Sequence, residues 1–522
     1  MKKILFILIF IVALATSCEP LQFDDPSTFT LDEAIEITPD YYFKITSSAF
    51  HSALFWSFDA LLSTSGFALL GDQMTTHNTS YGWLDLNREP RTSLNTSDSY
   101  MGYSVLAGPY SDFYQANLDA TKVIAGLDKG NPGIDDKGVN RTDEVYAVAH
   151  LTKGISQGFL GAIYDRGLIV DEDLGAAIEP DFPHSYKELI ENAVAHLDKA
   201  ISYAGKASSI TLDDFATNAV ADKDVFIKYA NSLAARFLAS IPRDREEARV
   251  LGNDFWNRVL RYAQAGITED FTTAPLTVYS STVFYNYSTS YLSFTVSGVP
   301  YLPVDTKLAY FADATGTYPA EYPTDNTVLG PVETNDARFY QYFRYYAAFG
   351  GYVNPDYGRQ MFSNYGRIRW GDGYNDALYN KRQVVMLAEE VRLLRAEAKF
   401  WTGDLAGAAA ELNAPNADRI ALGGLPPVPA TEAALEYVMH YEWAISIDIA
   451  GGNVGPFAYQ RRHNLLQPGT PTQFPITQDQ LNLTSIKPYT FGGVDHAGEK
   501  GVWGETGTAG NDWGWKGTKV LY

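Results

Sequence analysis

The sequence predicts a mostly α protein, a scaffold of tetratricopeptide-like helical hairpins that carries long aromatic-rich loop insertions. Three observations predict it. Apolar residues recur at three- and four-residue spacing, as in Tyr186, Leu189, Ile190, Ala193, Leu197, Ala200 and Ile201, which lines one face of a helix. The helical stretches come in pairs rich in alanine, whose small side chain permits close helix contacts. Such pairs point to tetratricopeptide-like hairpins, although no strict repeat of about 34 residues aligns and a plain helical bundle answers the same pattern. Finally, residues 272–380 abandon the helical period for a density of Tyr, Phe, Gly, Pro, Thr and Asn.

In chain order, the first element is a leader. Met1-Lys2-Lys3, an apolar run from Ile4 to Leu14 and the small residues Ala15-Thr16-Ser17 precede Cys18, the pattern of a secretory signal peptide. The run is far shorter than the roughly 20 residues that span a bilayer. Cys18 is the only cysteine of the chain and stands where a bacterial lipobox places the acylated thiol. Residues 1–17 are therefore expected to be a signal peptide and 18–25 a lipidated tether. With Cys18 acylated, the mature chain has neither a disulfide nor a thiolate metal site.

The helices follow. They are expected at Ser48–Leu70, Tyr110–Leu127, Thr142–Ile163, Ser185–Tyr203, Asp224–Ile241 and Glu246–Ala265, then Val384–Thr402, Asp404–Leu412 and Glu432–Ile447. Length alone favours three or four domains, but no Ser/Pro/Gly linker separates folding units, so 26–522 reads as a single domain. Within it, 272–380 forms a variable insertion. An irregular stretch of this length is functional or disordered, and its aromatic content argues against disorder. The tail from Gly492, with Trp503, Trp513 and Trp515 among glycines, has the same character.

The formal charge is −22. An acidic surface repels phosphate backbones, which excludes nucleic acid as a partner class and disfavours anionic polysaccharides. Catalytic motifs are poor. Gly154-Ile155-Ser156-Gln157-Gly158 matches a nucleophile elbow, but that motif needs a strand before the serine and a helix after it, and here it lies inside a helical run. Its glycines read instead as a close helix contact. The eight histidines are scattered without a zinc motif, no phosphate loop occurs, and nothing selects a glycosidase carboxylate pair. Neither a metal nor a cofactor is expected.

Sugar binding needs Trp and Tyr faces for stacking, with Asn, Asp, Gln and Arg for the hydroxyls; aromatics also lose little entropy on immobilisation. Two loop segments supply that mixture: His77 to Trp83, with Asn78, Tyr81 and Trp83, and Arg367 to Tyr374, with Trp370, Asp372 and Tyr374. For the two tryptophans, ligand stacking and structural packing both remain open. Trp56, Trp256, Trp401 and Trp443 lie within helical patterns and read as core. Arg367 and Arg369 either pair with nearby carboxylates or bind an acidic ligand.

Three segments resemble the SusD/RagB family of outer-membrane nutrient-binding lipoproteins. They are Tyr229-Ala230-Asn231-Ser232-Leu233-Ala234-Ala235-Arg236, Glu390 through Leu393-Leu394-Arg395-Ala396-Glu397-Ala398 to Leu412-Asn413, and Gly469-Thr470-Pro471-Thr472-Gln473-Phe474-Pro475-Ile476. With the lipobox, their order covers nearly the whole mature chain. Two departures mark a divergent member. Ala414 to Arg419 replaces the usual arginine-rich turn, and His440-Tyr441-Glu442-Trp443 with Gly451-Gly452-Asn453 replaces the usual glutamate-rich helix and its sequel. The resemblance implies a SusD-like helical scaffold whose loops form the ligand face and a SusC-like TonB-dependent transporter as partner. It further implies an outer-membrane lipid anchor on the extracellular side and a non-catalytic role in oligosaccharide capture. Peptides are the alternative ligand, and a surface glycosidase is the third reading.

Overall fold

The periodic stretches do form helices, and each helix packs on its neighbours in sequence. A computed structural model describes residues 39–57, 60–77, 79–170, 183–212, 215, 221–272, 295–296, 299–322, 329–347, 361–372, 384–482 and 484–511. The main helices are α1 (Tyr41–Ser57), α2 (Tyr103–Asp128), α3 (Thr142–Ile163), α4 (Tyr186–Lys206), α5 (Lys223–Ala239), α6 (Gly252–Gln264), α7 (Ala388–Trp401), α8 (Leu405–Leu412), α9 (Glu432–Glu442) and α10 (Val454–Arg462). From α1 to α8 they stack as successive pairs, the arrangement the alanine-rich hairpins predict.

The starts of these helices are written in the chain. Ser185 and Glu188 form a reciprocal capping box at α4, which satisfies two otherwise orphaned donors. Asp222 caps α5 and Asp404 caps α8 through their side chains. The centre of the stack is α3, buried without interruption from Glu144 to Ile163. Its glycines explain why. A Cβ on Gly154 would lie 2.6 Å from Leu197 Cδ2, one on Gly161 would lie 2.7 Å from Ile190 Cγ1, and one on Gly158 would strike the Phe237 ring. Helices α4 and α5 thus approach α3 more closely than any side chain would allow. Ser156 lies between these glycines, inside the helix and fully buried, so the elbow-like pentapeptide is a helix contact.

Several boundaries differ from expectation. The first predicted helix is broken: α1 begins at Tyr41, and a π-helical turn, Ala60–Gly66, precedes a short helix, Phe67–Leu70. Glu246–Ala265 is two helices, parted at Gly252, whose φ of +71° favours glycine. Val384–Met386 is a strand rather than the head of α7, because it pairs with the chain leaving α6. Trp256 and Trp443 are buried, and Trp56 and Trp401 pack half-buried against the core.

Four strands in and beside the insertion matter here: β1 (Phe271–Thr272), β2 (Phe343–Tyr345), β3 (Tyr365–Arg367) and β4 (Val384–Met386). β1 pairs antiparallel with β4, so the segment leaves and rejoins the helical stack at one place; β2 pairs antiparallel with β3, Arg344 opposite Gly366. Backbone hydrogen bonds from Thr75 N to Pro303 O (3.0 Å) and from Asp305 N to Gln73 O (3.2 Å) fasten the insertion to the segment after Leu70. After α10 the chain returns across the molecule. Phe474 N donates to Ile163 O and Asp165 N donates to Phe474 O, both at 2.9 Å, while Leu94 N donates to Phe491 O.

Buried arginines lock these layers. Arg236 on α5 grips Glu390 on α7 with two hydrogen bonds of 2.7 and 2.6 Å, and Arg462 on α10 grips Glu397 on α7 at 2.7 Å twice. Arg338 joins Asp336 and Glu442, Arg91 joins Asp72, and Arg367 joins Asp448. Arg243 and Arg461 instead donate to the carbonyls of Gly161 and Ala162 at the end of α3, where a helix leaves acceptors without partners of its own.

Candidate ligand-binding site

Two consecutive left-handed residues build the candidate site. Tyr81 has φ +59° and Gly82 φ +71°, a reversal that carries the Tyr81 ring outward and the next ring inward. Tyr81 is 44% exposed, whereas Trp83 is 1% exposed. The two rings are tilted against each other with centroids 5.4 Å apart, so the buried indole backs the exposed phenol. Holding a tyrosine at positive φ is unusual for a residue with a Cβ, and such strain gathers at functional surfaces.

Beside Tyr81 lies a cleft of about 240 Å³ whose described lining includes Asp85, Arg88, Ser93, Asn95 and Tyr100. Asp85 is shared. Arg88 Nη2 donates to its Oδ1 at 3.0 Å, and the Tyr100 hydroxyl donates to its Oδ2. Burial first, and then the Asp85 carboxylate, push the Tyr100 phenol up, so it stays protonated as a donor. Gly82 makes the closure possible: a Cβ there would stand 2.5 Å from Tyr100 Oη and 3.2 Å from Gly102 Cα. The result is one exposed aromatic ring beside a carboxylate, a guanidinium, a hydroxyl and an amide. That set can stack on a ring and hydrogen-bond its substituents. Hydrolysis of a glycoside would need two carboxyl groups about 5–9.5 Å apart; among the described residues lining this cleft, Asp85 is the one carboxylate.

The predicted residues scatter relative to this cleft. Trp83 is a correction: its ring packs in the core and offers no face to a ligand. Trp370 is also buried, under the Arg369 guanidinium at 4.5 Å, and its Nε1 has no acceptor among the described residues. Asp372 is exposed and forms a two-pronged pair with Arg344 at 2.7 and 2.9 Å. Asn78, Tyr374 and the lipidation candidate Cys18 lie outside the described residues. The two predicted segments meet at their bases, where Arg367 Nη2 donates to Gln73 O at 2.8 Å and His77 lies edge-on to Phe362 at 4.5 Å. The cleft walls, however, come from residues 81–106. Arg367 is internal and paired, and Arg369 donates to Ser446 O at 2.6 Å. No sequence signal marks Tyr100, because only the glycine contact between Gly82 and the 100–102 turn brings it to Tyr81; Asp85 and Arg88 come from the short helix Trp83–Leu86 and the residues just after it. A second groove, about 490 Å³, runs past Trp503, whose ring lies 4.4 Å from the Arg166 guanidinium.

The comparison with solved structures decides the fold. A SusD superfamily protein from Parabacteroides distasonis ATCC 8503 superimposes over 92% of this chain and 94% of its own, with a TM-score of 0.56 at 13% identity. The chain has a SusD-like fold. A SusD-like carbohydrate binding protein from Bacteroides vulgatus ATCC 8482 matches over 84% of this chain and 87% of its own, with a TM-score of 0.54 at 14% identity. Another matching structure, solved with xylogluco-oligosaccharide, covers 81% of this chain and 83% of its own, with a TM-score of 0.51 at 12% identity. No protein-family model and no curated protein matches the sequence. The SusD-like scaffold is thus present at sequence identities where only its packing, not its surface, carries over.

Proposed function

We propose that this SusD-like protein is a non-catalytic surface lipoprotein that captures neutral oligosaccharides and passes them to a SusC-like TonB-dependent transporter. Acylation of Cys18 anchors it in the outer membrane, facing the extracellular side. The observation that carries the reading is the Tyr81 cleft: an exposed ring, backed by buried Trp83 and flanked by Asp85, Arg88, Asn95 and Tyr100. The carbohydrate binding protein among its structural neighbours supports the ligand class. The formal charge of −22 favours neutral over acidic glycans.

Calorimetric titration of residues 26–522 with panels of oligosaccharides and peptides tests it. Heat with one glycan class, an unchanged glycan afterwards and loss of that heat in Tyr81→Ala are expected. Silence with every glycan alongside heat with peptides would replace the ligand class, and a cleaved glycan would replace the non-catalytic role. Co-purification of the barrel with the full-length protein from outer membranes tests the partnership.

A further inference from the structure

Away from the cleft, three elements converge on two histidines. His463, at the C-terminal end of α10, is fully buried between Tyr459, with ring centroids 4.3 Å apart, and Trp401, at 5.3 Å. Its Nε2 lies 2.9 Å from Glu397 Oε1. The other nitrogen, Nδ1, has no hydrogen-bond partner among the described residues and lies 3.6 Å from Glu436 Oε1. His440 stands one helical turn after Glu436 on α9, and its ring centroid is 5.3 Å from that of His463. One donor atom from each of Glu436, His440 and His463 lies within 4.8 Å of the others. Glu436 and His440 are half-buried, so the group is reached from solvent.

The chemistry of this set is specific. Glu397, itself gripped by Arg462, faces His463 Nε2 and so fixes the imidazole with its Nδ1 lone pair toward Glu436 and His440. A carboxylate behind an imidazole, orienting it and raising its basicity, is the arrangement found behind metal-bound histidines. The Tyr459 hydroxyl lies 2.6 Å from His440 Nδ1 and fixes that ring in place. A competing cation is present, since Arg245 pairs with Glu436 from the half-exposed side; a bound metal would take over that carboxylate.

We propose that Glu436, His440 and His463 bind a divalent transition-metal ion of the zinc class, bracing α9 against α10. Two nitrogens and one carboxylate suit zinc, with bonds of about 2.0–2.2 Å and a fourth position left for water. Calcium and magnesium, which take oxygen ligands, do not fit. Contraction of the three donors from their present spacing accompanies binding.

The full mature chain, stripped with chelator and dialysed, should bind one equivalent of ZnCl2 in a calorimetric titration, and no CaCl2. CoCl2 should give the intense visible absorption of a four-coordinate ion. His440→Gln and Glu436→Gln should each weaken zinc by about tenfold or more, whereas His496→Gln, on an exposed histidine elsewhere, should leave it unchanged. The two α9 variants lie on the half-buried side, so the test stands whether or not a His463 variant folds. Absence of saturable one-site binding, or equal binding by the wild type and both α9 variants, overturns the proposal.

Discussion

Tyr81 and Trp83 divide one task between an exposed ring and a buried one, and mutation should separate the two parts. Tyr81→Ala is expected to leave the unfolding free energy within the narrow range of surface substitutions, about ±0.5 kcal/mol, while lowering glycan affinity about tenfold, consistent with about 0.5–1.5 kcal/mol for an aromatic contact. Trp83→Ala should cost about 3–5 kcal/mol of stability and weaken glycan binding as well, because Tyr81 loses its backing. Chemical denaturation and calorimetry on the same preparations check both. This division is not legible in the sequence. Aromatic type and loop position mark both residues equally, and only the left-handed turn at Tyr81-Gly82 sends one out and the other in.

Asp165 makes a second residue-scale prediction. Its carboxyl is fully buried, and desolvation lifts it to about 7, although the Tyr489 hydroxyl donates to it at 2.8 Å. Its folded pKa exceeds the unfolded value of about 3.9, so the folded state binds the extra proton between those limits. The stabilisation is therefore complete below pH ~4 and disappears as pH rises through about 7. Burial likewise lifts Glu389 to about 7, which acts in the same direction. The stability that Asp165 contributes should shrink by about 3 kcal/mol from pH 5 to pH 8. Wild type minus Asp165→Asn, measured by chemical denaturation, isolates it from His196 and His440, whose pKa values burial lowers and which act in the opposite direction up to about pH 6.5. An unchanged slope in Asp165→Asn would assign the pH dependence elsewhere.

Among elements, α3 depends on having no side chains at three places. Gly158→Ala would press a methyl group into the Phe237 ring, itself packed edge-on against Phe159 at 5.2 Å, and should cost about 1–3 kcal/mol in urea unfolding. Helix α7 depends on charge. Arg236→Met leaves Glu390 buried and unpaired, which costs about 3–5 kcal/mol, and adding Glu390→Met should restore most of that loss. A double variant no more stable than the single one would show that Glu390 is satisfied by other groups. These pairs explain why the family-like segments are readable. Arg236 belongs to the first segment and Glu390 and Glu397 to the second, and their side chains tie the stack together. The third segment is the returning chain, where Phe474 bonds to Ile163. Helix interiors are legible through their 3.6-residue period. The break at Gly252 and the strand Val384–Met386 are not, since one is decided by a single torsion and the other by a partner more than a hundred positions away.

On the scale of the whole molecule, a formal charge of −22 spread over the surface repels itself. Salt shortens the reach of that repulsion to about 8 Å at physiological strength. Raising sodium chloride from low to physiological concentration should therefore raise the melting temperature, whereas a decrease would show that attractive surface pairs outweigh the repulsion. The buried arginine pairs contribute little to either trend, because screening does not reach them.

The antiparallel pairing of Phe271–Thr272 with Val384–Met386 carries one more consequence. More than a hundred residues begin and end at this one ladder, yet the segment between is pinned to the rest of the molecule elsewhere: Arg338 reaches Glu442, Arg367 reaches Asp448, and Thr75 N donates to Pro303 O. Exchanging the whole stretch between Thr272 and Val384 would leave Asp448 buried without its cation, a loss of about 3–5 kcal/mol. The molecule is in this sense a socket that grips its fitting, and a graft that keeps Arg338, Arg367 and the 303–304 stretch while changing the exposed turns is the natural way to give it a new specificity.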